Sequence, residues 1–117
     1  NPEMKQLHEL GEMYSSPTFA TFDELLAAGV QLDGVVVASN HASHFDTAMK
    51  ALEADMHVLC EKPMTTDPKL AWALAHVAKQ KGKTFWVNNT ANFRHHCNVA
   101  HRWAGSRIGT IEHATCF

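Results

Sequence analysis

Three consecutive β-branched residues, Val35-Val36-Val37, followed by Ala38, constrain this chain more than any other stretch. With no polar residue alternating among them, they describe a strand covered on both faces, as in a parallel sheet. Two more short apolar runs follow, His57 to Cys60 and Thr84 to Val87. Between the first pair of runs, Phe45, Ala48, Met49 and Leu52 recur at helical spacing and predict an amphipathic helix over 42–54. Between the second pair, Asp67-Pro68 is a helix start, because Asp caps free amides and Pro sits where no donor is needed. Leu70, Ala71, Leu74, Val77 and Ala78 form that helix's inward stripe, and Gly82 ends it. Strands alternating with helices give right-handed crossovers, hence an α/β fold with a doubly wound parallel sheet.

The flanks are read with the same signals. Residues 3–13 suit a helix with Leu7 and Leu10 on one side, broken by Ser15-Ser16-Pro17. Thr18 to Ala20 is expected as a short strand. Thr21 and Glu24 make a capping box for a short helix that turns Leu25 and Leu26 inward and stops near Gly29. Downstream come a polar loop over 88–92, a helix near 96–104, a turn bracketed by Gly105 and Gly109, and a final strand over 111–117.

In an open parallel sheet, ligands bind beyond the carboxyl ends of the strands. That rule selects Ser39 to Ser43 and Glu61 to Met64, which follow neighbouring strands. The first segment should also offer the free amides of a helix N-terminus, suited to a phosphate or ribose oxygen. The second sets Glu61-Lys62-Pro63 directly after an apolar strand, so its charges belong at an exposed edge or in a cleft. Each residue has a plainer reading. Exposure is the ordinary state of a lysine, Asn40 is a common turn or cap residue, and His44 suits a capping region.

Composition removes other classes. The chain has 117 residues, 45% of them hydrophobic and 19% charged, which describes one globular domain and not a disordered segment. A net charge of −2 with no basic stripe argues against a nucleic-acid partner, and the apolar runs are too short to span a bilayer. Three irregularly spaced cysteines fit a reducing, cytoplasmic setting better than a disulfide framework. Nine histidines invite a metal reading, through His41 and His44 or through His95, His96, Cys97 and His101. None has the spacing of a closed zinc site, so no metal ligand is assigned. Cys60 is expected as a small buried hydrophobe, and Trp72, Trp86 and Trp103 as core residues.

The ordered set Val35-Val36-Val37-Ala38-Ser39-Asn40-His41-Ala42-Ser43-His44, then Ala51-Leu52-Glu53-Ala54, then His57-Val58-Leu59-Cys60-Glu61-Lys62-Pro63-Met64, resembles the Gfo/Idh/MocA oxidoreductases. Ile108-Gly109-Thr110-Ile111 continues the likeness. The resemblance implies a partial Rossmann fold lacking its first two strands: 1–107 as the later part of an NAD(P)-binding domain, and 108–117 as the start of a truncated C-terminal α/β substrate domain. It implies NAD or NADP as cofactor, a sugar, cyclitol or related polyol as substrate, and a homo-oligomeric full-length protein. Lys62 becomes the catalytic residue near the nicotinamide. Glu61 would orient the cofactor or the lysine, and Pro63 would fix the turn, with a cis peptide bond compatible there. Ser39, Asn40, His41 and His44 would line the cofactor cleft. The Gly-x-Gly-x-x-Gly fingerprint does not occur in this sequence. Two local departures stand out: Asp55 occupies a usual glycine position, and Thr90-Ala91-Asn92-Phe93 replaces a common Asn-x-Arg-Phe. The alternative is a truncated, non-catalytic Rossmann-like module that acts by associating with another chain through the open edge of the Val35–Ala38 strand. A metal-dependent hydrolase built on the histidines is a weaker third reading.

Overall fold

A computed structural model describes residues 2–113 and 115. Helix α1 spans Pro2–Tyr14 and α2 spans Phe22–Ala27; strand β1 (Gly34–Val37), helix α3 (His44–Glu53), strand β2 (His57–Glu61), helix α4 (Pro68–Lys81), strand β3 (Phe85–Asn88) and helix α5 (His95–Ala104) follow. The strands form one parallel sheet in the order β1-β2-β3. This is the α/β architecture that the alternation of apolar runs and amphipathic helices predicts.

Local chemistry sets the element ends. The Thr21 hydroxyl accepts from the Glu24 amide at 3.2 Å, while the Glu24 carboxylate reaches one residue beyond the capping position, to the Ala20 amide at 3.1 Å. Asp67 caps α4 by accepting from the Lys69 amide at 2.8 Å, and Gly82 closes it in the left-handed region at φ 63°. After α3, Asp55 takes φ 60°, the left-handed turn that glycine adopts more readily. Gly34 has a different reason to be glycine: a Cβ there would stand 2.9 Å from the His57 carbonyl oxygen of the neighbouring strand.

The core lies between one face of the sheet and the α3–α4 layer. Val37, Val58 and Cys60 face Ala48, Ala51, Leu52, Leu74 and Ala78, with Phe22 and Leu26 of α2 packed against the rim. Leu52 and Leu74 are fully buried, each contributing about 1.5–3 kcal/mol of transfer free energy. The opposite face is bare. Val36 is 69% exposed and Trp86 56%, with Leu59 between them. β1 therefore has the composition of a strand covered on both sides, but among the described residues only one side is covered. A Cα radius of gyration of 18.5 Å, against about 13 Å for a compact domain of this size, fits a small core with helices standing off it.

Other expectations change here. Thr18 to Ala20 form no strand. A strand exists only through its ladder, and β1 is an edge with no partner on that side among the described residues. Residues 111–113 and 115 are likewise outside any strand, and Ala114, Cys116 and Phe117 fall outside the described residues. All three tryptophans are exposed: Trp72 on the outer side of α4, Trp86 on the bare face, and Trp103 on α5, which packs chiefly on the 3-10 turn before it. No described helix is long and apolar enough to cross a membrane.

Candidate active site

The parallel register brings the carboxyl ends of β1, β2 and β3 level, pairing Val37 with Cys60 and Glu61 with Asn88. The chain leaves β1 into Ser39–Ser43 and leaves β2 into Lys62–Met64, so these segments emerge side by side. His44, the first residue of α3, joins them. Its ring is fully buried, with Nδ1 2.8 Å from the Pro63 carbonyl oxygen and Nε2 3.1 Å from the Ser39 carbonyl oxygen. Both neighbours are acceptors, so each ring nitrogen that carries a proton donates to the carbonyl it faces. His44, expected at the cofactor cleft, thus has no exposed surface here and sits against both segments, joining them.

Ser39, Asn40 and His41 are exposed at the edge, as the strand-end rule requires. Much of their polarity is spent locally. The Ser39 and Ser43 hydroxyls lie 2.7 Å apart, Asn40 Oδ1 accepts from the Ser43 amide at 3.1 Å, and the Ser43 hydroxyl donates to the Asn40 carbonyl at 2.9 Å. The segment opens as a 3-10 turn, His41–Ser43, that leads into α3, and the Ser43 amide is already bonded to Asn40. Asn40 caps that turn, which is the plainer of its two readings. The His41 ring stands edge-on to His44 with centroids 5.6 Å apart.

On the β2 side, the Lys62–Pro63 peptide bond is cis. The Glu61 carboxylate is held at both oxygens: Asn88 Nδ2 donates to Oε1, and the Lys62 backbone amide donates to Oε2 at 3.2 Å. The Asn88 hydrogen bond, then the Lys62 amide, hold its carboxyl below the usual carboxylate range against a smaller opposing effect of burial. The Lys62 side chain is exposed, and among the described residues its ammonium makes no ion pair or hydrogen bond. Burial first, then the Glu61 charge, pushes the Cys60 thiol up, so it is a packed thiol and not an activated one.

Of the sequence-selected residues, the structure thus gathers Ser39, Asn40, His41, Glu61, Lys62 and Pro63 at one edge and places His44 under them. Asn88 is the residue that sequence reasoning missed. It ends the third parallel strand, so the strand-end rule applied to β3 would have found it. Among the described residues, no three His, Cys, Asp or Glu side chains come together in a way that could hold a metal ion. Cys97 and His101 instead line a hollow with Asn98, all on α5, and with Asn92 of the 3-10 turn before it.

Comparison with known proteins places this arrangement among others. Residues 1–89 match the sequence model of an oxidoreductase family with an NAD-binding Rossmann fold. A D-xylose 1-dehydrogenase (NADP(+)) from Hypocrea jecorina is 34% identical over 107 residues, covering 90% of this chain and 27% of that protein. An inositol 2-dehydrogenase from an Arthrobacter species is 36% identical over 63 residues, covering 54% of this chain and 18% of the relative. The crystal structure of GenD2 from gentamicin A biosynthesis, in complex with NAD, superposes with a TM-score of 0.77 at 28% identity over 86% of this chain and 28% of that one. The chain thus spans about a quarter of the length of these relatives, or less.

Proposed function

Because the chain belongs to the Gfo/Idh/MocA oxidoreductase family, we propose that it is part of a nicotinamide-dependent dehydrogenase for a sugar, cyclitol or related polyol, with Lys62 at the nicotinamide. The observation that carries this reading is the Lys62 ammonium: exposed, without an ion-pair partner among the described residues, and set at the carboxyl end of the central strand. A lysine left free beside a carboxylate whose two oxygens are already engaged is available to a ligand.

The residues present suit the ribose–nicotinamide end of a dinucleotide. Ser39, Asn40 and His41 put exposed polar side chains on one side of the edge, and Lys62 puts a cation on the other. NAD or NADP, when bound, supplies the acceptor for a hydride. The part assigned to Lys62 is electrostatic: its ammonium stabilises negative charge developing on the hydroxyl oxygen of the reacting carbon, which favours loss of that proton. Glu61 is assigned an indirect part, since its oxygens are held by Asn88 and the Lys62 amide. His44 is assigned the task of keeping the two segments at a fixed separation. Residues 1–107 are read as cofactor domain and 108–117 as the start of a substrate domain, in a protein that assembles as a homo-oligomer. The D-xylose and inositol dehydrogenases among the relatives support the substrate class.

The test is steady-state kinetics of the intact protein on a panel of polyols with NAD and NADP, alongside Lys62→Met and Lys62→Arg. Loss of one charge-stabilising group lowers kcat by about 10²–10³. The expected result is a loss of that order in Lys62→Met, partial recovery in Lys62→Arg, and little change in cofactor affinity. A Lys62→Met protein with kcat near wild type overturns the assignment.

One observation favours a second reading, a non-catalytic module that works by association. The bare face carrying Val36, Leu59 and Trp86, and the unpaired edge of β1, are surfaces of the kind that chains pair through. Monomeric sedimentation at all concentrations, with a cooperative melt, would count against it.

A further inference from the structure

We infer that Asn88 is a positioning residue for Lys62, acting through the Glu61 carboxylate. This rests on the role proposed for Lys62 and adds a residue to it. The β2–β3 register sets Glu61 and Asn88 directly opposite each other, one pair beyond Cys60 and Val87 and two beyond Leu59 and Trp86. Side chains two apart on a strand share a face, so Glu61 and Asn88 stand where the bare face meets the ligand-binding edge. There the carboxylate spans two elements, taking Asn88 Nδ2 of β3 on one oxygen and the first amide past β2, that of Lys62, on the other.

The consequence is mechanical. The Lys62-Pro63 turn is held at its start by the Asn88–Glu61 pair and at its end by His44 on the Pro63 carbonyl. With both ends held, the backbone from which the Lys62 side chain projects has little freedom, while the ammonium itself stays unengaged. The residue type at position 88 suits this task. Asparagine donates a hydrogen bond without bringing charge. A lysine or arginine there would compete with Lys62 for the carboxylate, and an aspartate would repel Glu61.

The groups that bear on the Glu61 charge are few. Asn88 and the Lys62 amide come first, then the Lys62 ammonium and His44, all favouring the ionised form against burial. Because the folded carboxyl titrates below the ordinary glutamate range, the brace is complete within and above that range. It is lost as pH falls through the folded value.

The experiment is carbon-detected NMR titration of the Glu61 side-chain carboxyl in the intact protein, together with the Lys62 amide resonance, for wild type, Asn88→Leu and Asn88→Asp. Kinetics of the same proteins are measured beside Lys62→Met. Removal of the donor in Asn88→Leu should move the carboxyl titration up towards the ordinary range, and Asn88→Asp should move it further. The Lys62 amide should lose its dependence on that titration. With the turn loosened, kcat should fall roughly ten- to hundredfold, the scale of a small misplacement at a reacting centre. An unchanged Glu61 titration and Lys62 amide in Asn88→Leu overturns the inference, whatever Lys62→Met does. A shifted titration with undiminished kcat, in a protein that Lys62→Met does impair, overturns it as well. If Lys62→Met leaves kcat intact, the dehydrogenase role of Lys62 fails, and the two resonances still decide whether Asn88 positions the turn.

Discussion

Replacing His44 by phenylalanine keeps an aromatic ring in the same pocket and removes both nitrogens that tie Ser39 to Pro63. In the native protein those nitrogens lie 2.8 Å and 3.1 Å from the two carbonyl oxygens, and the ring has no exposed surface. A net hydrogen bond contributes about 0.5–1.5 kcal/mol, and an acceptor left without a partner costs about 1–3 kcal/mol when water cannot reach it. Ser39 and Pro63 are both exposed residues, so water can partly reclaim their carbonyls and the lower ends apply. His44→Phe should therefore lose about 2 kcal/mol. His44→Ala should lose about 3–5 kcal/mol, because it adds a cavity on the scale of an aromatic truncation. Against a total of about 5–15 kcal/mol, either loss is large. Urea unfolding of the intact protein measures it: the midpoint should fall with the slope unchanged. Hydrogen exchange should quicken first in 39–43 and 62–64, since these segments lose their common tether. A His44→Phe midpoint within about 0.5 kcal/mol of wild type, with exchange unchanged in both segments, would refute the view that this ring holds the edge together.

Two further expectations come from single residues. Asp55→Gly should stabilise the fold by up to about 1 kcal/mol: it relieves the left-handed backbone at φ 60°, and what it sacrifices, the 3.2 Å exposed pair with Lys81, is worth little. A melting temperature that falls in Asp55→Gly would mean that the Lys81 contact outweighs the backbone. Cys60, buried and with its thiol pushed up, should resist maleimide in the native state and label only on unfolding, while the less buried Cys97 labels readily. Mass spectrometry of the labelled peptides reads this out, and fast native labelling of Cys60 would contradict its place in the core.

Signals that act over a few residues were legible in the sequence. Thr21 with Glu24, Asp67-Pro68 and Gly82 each fixed a helix end through bonds to their own neighbours. The β-branched run and the helical stripes fixed the layer order. What could not be read were pairings that depend on register. His44 meets Pro63 across 19 positions and Glu61 meets Asn88 across 27, and neither pair leaves a local pattern. His44 was legible as a residue of this edge but not its two carbonyl partners, and Asn88 as the end of an apolar run but not its bond to Glu61. The bare face was illegible for a related reason. Val36, Leu59 and Trp86 are apolar, and apolar composition implies a cover without saying whether this chain supplies it.

Titrating the intact protein with NADH while following its backbone amides tests the central claim most directly, that the joined ends of β1 and β2 hold the nicotinamide. Saturable shifts are expected at Ser39, Asn40, His41, Lys62 and Met64, with the nicotinamide protons showing contacts to the Lys62 side chain. Those amides unmoved at saturating NADH, or shifts confined to α5 around Cys97 and His101, would contradict it.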